Sequence, residues 1–413
     1  MSLTRVLVAC LLLVMPHIVQ AGDWPQILGP HRDGIAEGEK LASSWPATGP
    51  QTLWKQSVGS GLAGVAVAGG TVYVFDRDGD DERLAAVDAL TGKPRWKPVT
   101  WPTSYQDAIA GDDGPRCIPV VHGDRVYAYG AAGTLACINT RDGKLVWSRN
   151  LVTDYQSDLG YFGAGSTPLI EGKTLIVNVG GQKSQAGVVG LSAETGKELW
   201  KSVADTASYS SPVAVTVDGT RHVLCITRLK LVSLDPSNGK VRFEFPFGKR
   251  GPTVNGANPV VVNDSVLATA SYGIGATFAK IAKDHADMLW DGDEILSSQY
   301  TTSVPKGSYL YGIDGRQDQG IASLRCFDPV TRKVAWTEEG FGMATLILAD
   351  NKLVCMKTDG TLTLVAASPK AYEELATAKL FNTTCRGLPA LSNGLLYVRD
   401  TQTLTCFDLR PGK

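Results

Sequence analysis

Residues 86–96 read A-V-D-A-L-T-G-K-P-R-W, and residues 137–147 read C-I-N-T-R-D-G-K-L-V-W. Three further copies hold the same spacing: G-L-S-A-E-T-G-K-E-L-W at 190–200, S-L-D-P-S-N-G-K-V-R-F at 233–243 and C-F-D-P-V-T-R-K-V-A-W at 326–336. Weaker copies end at Trp290 and Phe381. Units spaced by roughly 40–50 residues indicate a solenoid, propeller or array. Each motif has a mechanical reading. Asp88 accepts backbone N–H bonds at a turn, and Gly92 supplies the positive φ that closes a hairpin. Trp96 then falls on the following strand, where a large flat side chain fills the gap between neighbouring units.

Two more strands precede each motif. The run from Pro119 to Tyr129 reads strand, turn, strand, as do those from Pro168 to Asn178, Pro212 to Ile226, Pro259 to Thr269 and Pro389 to Val398. Four antiparallel strands per unit make a propeller blade. The expected fold is therefore all-β, an eight-bladed β-propeller with Trp54, Trp96, Trp147, Trp200, Phe243, Trp290, Trp336 and Phe381 as anchors. Seven blades follow if one weak unit is not a blade. Ser368 to Lys379 is the one stretch that reads as a helix.

Ring closure is legible at the two ends. The last motif, starting at Cys406, stops before its Trp strand, while residues 51–58 carry Trp54 with no motif before it. The N-terminal strand is expected to complete the last blade, which leaves no open edge there.

Residues 1–21 read as a cleavable signal peptide: Arg5, the apolar run from Val6 to Met15, then Val19-Gln20-Ala21. Residues 22–50 form an N-terminal extension and 51–413 the propeller. Export to the periplasm or cell exterior is expected, with no transmembrane segment after cleavage. Lys and Arg number 40 against 41 Asp and Glu, a net charge of −1, which argues against nucleic acid as a partner. Six of the cysteines after residue 21 align with small core positions and are expected to stay unpaired, and Cys385 has no such alignment.

The A-x-D-x-x-T-G-K-x-x-W run resembles the quinoprotein-type, or PQQ-like, propeller repeat over roughly residues 51–413. The stretches D-W-P-Q at 23–26 and G-P-H-R-D-G at 29–34 are similar to the N-terminal segment of exported bacterial members. That resemblance implies one of two activities: quinone-dependent oxidation of alcohols or sugars, or non-catalytic scaffolding in assembly of outer-membrane proteins. The oxidoreductases carry adjacent cysteines and a calcium site of Glu, Asn and Asp, and neither is found in this sequence. No catalytic or metal-ligating set is expected, so no cofactor is expected either; pyrroloquinoline quinone with calcium belongs to the alternative reading.

A ligand is expected at the mouth of the central channel, lined by residues just before the inner strands: Arg116, Tyr209, Asn258, Tyr300 and Arg386. Aromatics beside Arg and Asn suit sugars, peptides or anionic small molecules. Trp147 is expected to be buried between blades and Arg116 to stand at the surface. The function expected is a binding or assembly scaffold of the cell envelope with a protein or polysaccharide partner. The alternatives are a quinone-dependent alcohol or sugar oxidoreductase and a polysaccharide-recognition module.

Overall fold

The computed structural model describes residues 22–107, 109 and 111–412, and the expected signal segment, residues 1–21, lies outside them. Eight antiparallel sheets follow one another along the chain, each of four strands, with a short extra strand on one of them. The inner strands of blades 1 to 8 are Ala66–Ala68, Val120–His122, Leu169–Glu171, Val213–Val217, Val260–Val262, Val304–Lys306, Ala344–Ala349 and Ala390–Ser392. Inner strands touch between blades 1 and 2, 5 and 6, 6 and 7, and 8 and 1, the last of which closes the ring around an axis. The eight-bladed propeller is therefore the fold. Gln51–Ser57 is the outer strand of blade 8, paired antiparallel with Thr403–Asp408, as the two chain ends led one to expect.

The motif is explained by its pairing. The residue opposite Trp200 is Gly190, and a Cβ there would come within 2.2 Å of the indole. Cys137, Cys326 and Cys406 hold the same place opposite Trp147, Trp336 and Trp54. The first motif slot is small because an indole covers it. A β-bulge precedes each of these tryptophans and turns the ring toward the next blade.

There the indole meets the next unit's turn. Trp54 donates to the Ala89 carbonyl (2.9 Å), Trp96 to Thr140 (3.1 Å), Trp147 to Ala193 (3.1 Å) and Trp200 to Pro236 (3.1 Å). The motif glycine has a second task here. Gly196, at φ +71°, lies so close to Trp147 that a Cβ would stand 2.7 Å from the ring. In blade 6 the glycine is replaced by Arg332, and its guanidinium lies 5.7 Å from the Trp290 ring instead. Trp54, Trp200 and Trp290 are buried, whereas Trp96, Trp147 and Trp336 are half-buried, so Trp147 is less enclosed than expected.

Three further expectations are corrected. Trp96 sits in a bend, and the outer strand of blade 1 starts later, at Val99–Pro102. Phe381 is not the anchor of blade 7: the register places Ala376 opposite Leu364, where other blades have Trp. Phe381 lies beyond the strand, edge-on to Phe407 at 5.9 Å. Residues 368–379 form no helix; Glu374–Lys379 is the outer strand of blade 7. Its Ala and Glu favour a helix locally, but pairing with Thr361–Ala366 overrides that preference. All seven cysteines of the described residues, Cys385 included, are buried and unpaired.

Candidate functional site

Inner strands run in parallel from one face of the ring to the other. Connections from each outer strand to the next inner strand gather on the first face, called here the loop face. Hairpins that follow the inner strands gather on the second. This topology places Arg116, Tyr209, Asn258, Tyr300 and Arg386 at the loop-face mouth of the channel.

A belt of hydrogen bonds runs along the channel wall from blade 2 to blade 6, just inside that mouth. The Ile118 N–H donates to Thr167 Oγ1 (3.1 Å), Thr167 N–H to Ser211 Oγ (2.9 Å), Ser211 N–H to Asn258 Oδ1 (2.7 Å) and Asn258 N–H to Thr302 Oγ1 (3.0 Å). From blade 2 to blade 6, each blade's backbone is thus satisfied by a side chain of the next, as buried N–H groups require. Asn258 is buried and its carbonyl oxygen is committed to this belt.

The other four residues hold loops. The Arg116 side chain is 10% exposed and ion-pairs with Asp107. It also donates to the carbonyls of Gly114 and Asp112, both at 3.0 Å. Its guanidinium lies over Tyr105 and Phe162, at 5.5 and 6.0 Å. This is an enclosed clamp, not the surface residue expected. The Tyr209 hydroxyl accepts the N–H groups of Tyr161 (2.9 Å) and Phe162 (2.8 Å) and so fixes the loop of residues 156–165. Burial raises its pKa above the ordinary phenol value, so it stays a neutral hydroxyl. Tyr300 and exposed Arg386 both donate to Gln317 Oε1, the latter at 3.1 Å, which ties the mouth of blade 6 to that of blade 8. The five residues therefore share one mouth but form no single open pocket.

The opposite end of the channel holds what the sequence reading missed. Strand Ile35–Ala36 pairs in parallel with Ala344–Ala349, the innermost strand of blade 7, so it lies inside the ring. The segment around it spans the hairpin-face opening. Trp24 exchanges both backbone bonds with Val67 of blade 1 (2.8 Å), and the Pro25 carbonyl accepts from Val121 of blade 2 (2.8 Å). Arg32 donates to the carbonyls of Thr167 (3.3 Å) and Pro168 in blade 3 and to that of Pro212 (2.8 Å), which leads into blade 4. Gly34 packs on Val304 of blade 6 and accepts from Leu348 of blade 7 (2.8 Å). Glu39 accepts from Asn393 (2.8 Å) and Gly394 (2.6 Å) of blade 8. Residues 22–42 thus plug the channel and tie together every blade except blade 5.

Arg32 is the tip of this plug. It is 2% exposed, and among the described residues its partners are carbonyls and Gln26 Oε1 (2.8 Å), not carboxylates. Burial pushes its pKa down to about 9, against weaker raising effects from Glu171 and Cys225. A buried cation held by oriented carbonyls is expensive to desolvate, so its bonds must all be in place. No feature of spacing or hydrophobic period marks residues 22–42. Their local signals are the D-W-P-Q and G-P-H-R-D-G runs at 23–26 and 29–34, which say nothing of a place in the channel.

Comparison with known proteins agrees with this geometry. A family model described as outer membrane protein assembly factor BamB matches residues 35–115 and 99–338, most of the ring. The chain belongs to that family. It is 25% identical to outer membrane protein assembly factor BamB of Yersinia pestis, over 60% of this chain and 57% of that one. It is also 28% identical to the quinoprotein ethanol dehydrogenase of Pseudomonas aeruginosa, over 32% of this chain and 21% of that one. The chain spans about a fifth of the length of the first curated relatives it matches. Among solved structures, the quinohemoprotein alcohol dehydrogenase of Comamonas testosteroni superposes with a TM-score of 0.67 at 14% identity. That alignment covers 96% of this chain and 82% of the dehydrogenase chain, a likeness of fold.

Among the described residues the channel offers no grouped ligands for the calcium of the quinone-dependent alternative. The described wall offers hydroxyls and amides, from Thr167, Ser211, Asn258 and Thr302. No three His, Cys, Asp or Glu side chains of the described residues gather in a metal-holding group. The plug enters from the hairpin face, and its tip, Arg32, reaches the Thr167, Pro168 and Pro212 carbonyls beside that wall.

Proposed function

We propose that this BamB-family chain is an exported, non-catalytic scaffold of the cell envelope that binds a protein partner through its loop face. The observation that carries this reading is the plugged channel. The hairpin-face opening is filled by the chain's own residues 22–42, and the loop-face aromatics and arginines clamp loops instead of lining a reaction chamber. What remains for recognition is surface: the connections between blades, where Arg386, Ile109 and Tyr161 are exposed. Loops on a rigid ring are well placed to carry binding. No helix of the described residues is long and apolar enough to cross a membrane.

The competing reading, a quinone-dependent alcohol or sugar oxidoreductase, follows from the dehydrogenase relatives. It is tested by incubating purified chain with pyrroloquinoline quinone and calcium and following dye reduction with ethanol and glucose. No dye reduction above the protein-free rate is expected. Saturable reduction proportional to chain concentration would replace the scaffold reading with the enzymatic one. Export has its own test. Intact-mass measurement of the exported chain is expected to show Gly22 as the first residue, after cleavage behind Val19-Gln20-Ala21. A mass that includes residues 1–21 contradicts the cleavage.

A further inference from the structure

On the loop face over blades 3 to 5, three loops meet at one carbonyl. Tyr161, from the connection into blade 3, donates its hydroxyl to Gly251 O (3.3 Å). Arg228, from a hairpin of blade 4, donates to the same oxygen at 2.8 Å. Lys249, beside Gly251, reaches over to the Gly273 carbonyl of blade 5. We propose that this junction binds an acidic oligosaccharide, a sugar chain bearing carboxylates.

Charge is the first argument. Lys183, Arg228, Lys249 and Arg250 all lie on this sector, and among the described residues none of them forms an ion pair with a carboxylate. One guanidinium nitrogen of Arg228 is enclosed with no hydrogen-bond partner at all. The chain's net charge is −1, so the cations here are local and not a general excess. Guanidinium forks are suited to carboxylates.

Aromatic surface is the second. Tyr161 is 43% exposed, and its ring centroid lies 6.2 Å from Phe162, which in turn lies 5.6 Å from Tyr209. Such rings present a flat apolar face with polar handles, the surface on which the C–H face of a sugar stacks.

Unmet hydrogen bonding is the third. Buried polar atoms in folded proteins nearly always have partners. Around this sector, besides Ser157 Oγ and the Arg228 nitrogen, four more do not: Asn178 Oδ1, Ser210 Oγ, Asn255 Oδ1 and Asn258 Nδ2. All four residues are at least nine-tenths buried. Asn178 also lines a cavity of about 30 Å³, shared with Asp158, Gly160, Ser208 and Tyr209 beneath the Tyr161 loop. Its size admits one water or one hydroxyl. Donors and acceptors are both left open, and a sugar hydroxyl serves as either. A peptide of Asp and Glu alone would satisfy the charge but supplies neither the hydroxyls nor the stacking face.

The test is isothermal titration of the full chain with short oligogalacturonates, using maltooligosaccharides and acidic peptides of matched length as controls. Oligogalacturonate is expected to bind saturably, at least about tenfold tighter than either control, and to weaken as salt is raised. The double variant Arg228→Gln, Arg250→Gln should lose about tenfold in affinity. Tyr161→Phe keeps the ring and should retain binding, while Tyr161→Ala should lose it with an unchanged melting temperature. If Tyr161→Ala unfolds the chain, Tyr161→Phe carries the stacking test alone, and loss of binding in it counts against the proposal. The proposal is overturned if oligogalacturonate does not bind, if the acidic peptide binds as tightly, or if the arginine variant binds as the natural chain does.

Discussion

Deleting residues 22–42 is expected to abolish cooperative folding of the propeller, although these residues lie outside the repeats. Trp24, Ile27, Leu28, Ala36 and Leu41 are buried. Fully burying a large apolar side chain stabilises by about 1.5–3 kcal/mol, so the four large ones contribute on the order of 10 kcal/mol as an upper limit. That is comparable to the roughly 5–15 kcal/mol that holds a typical protein folded. The deletion also strips partners from buried backbone groups at the inner strands, each costing about 1–3 kcal/mol. Far-UV circular dichroism and a denaturant titration of the truncated chain decide the matter. An unchanged midpoint would mean that the segment merely rests in the channel.

Arg32 separates the tip of the plug from its bulk. Arg32→Met keeps much of the volume but leaves the carbonyls of Thr167, Pro168 and Pro212 without their donor. It also removes a charge that is costly to bury, and the two effects oppose each other. The substitution should therefore cost far less than the deletion, and that contrast is what distinguishes a plug held by apolar packing from one held by its arginine.

How far the sequence could be read depends on whether the information repeats. The Trp–Gly docking recurs around the ring, so its spacing is visible without any structure, and ring closure follows from counting what each end lacks. The errors fall where a unit departs from the repeat. Blade 7 has Ala376 in the Trp place, and the next aromatic along the chain, Phe381, drew the assignment five residues too far. Blade 1 puts a bend at Trp96 because its outer strand is displaced to pair through Val99 and Trp101, the latter donating to buried Glu82 (2.9 Å). The plug was illegible for the opposite reason. It occurs once, has almost no regular structure, and takes its meaning from carbonyls more than 130 residues away along the chain. Strand order alone gives the face on which the mouth residues stand. Their commitment to loop clamps depends on partners such as Asp107 and Gln317, which no local pattern reveals.

Trp54→Ala should be the most damaging single substitution among the motif tryptophans. Large-to-small changes in a core cost about 3–5 kcal/mol, and Trp54 is at the upper end for two reasons. It is 9% exposed, more enclosed than Trp147, and it belongs to the one blade whose outer strand is supplied from the other end of the chain. Its ring lies on Gly92 of blade 1 and 5.9 Å from Tyr397 within its own blade, so its loss loosens the joint that closes the ring. The lost indole N–H matters less. Tyr397 also donates to the Ala89 carbonyl, at 3.1 Å, and keeps that oxygen satisfied. Trp54→Phe should therefore cost only about 1 kcal/mol, a neutral hydrogen bond's worth, as the natural Phe243 in blade 4 implies. Trp147→Ala, at a half-buried joint between consecutive blades, should fall between the two. Chemical denaturation of the three variants gives the order directly. If Trp54→Phe is as costly as Trp54→Ala, the joint is held by the indole hydrogen bond and not by the packed ring.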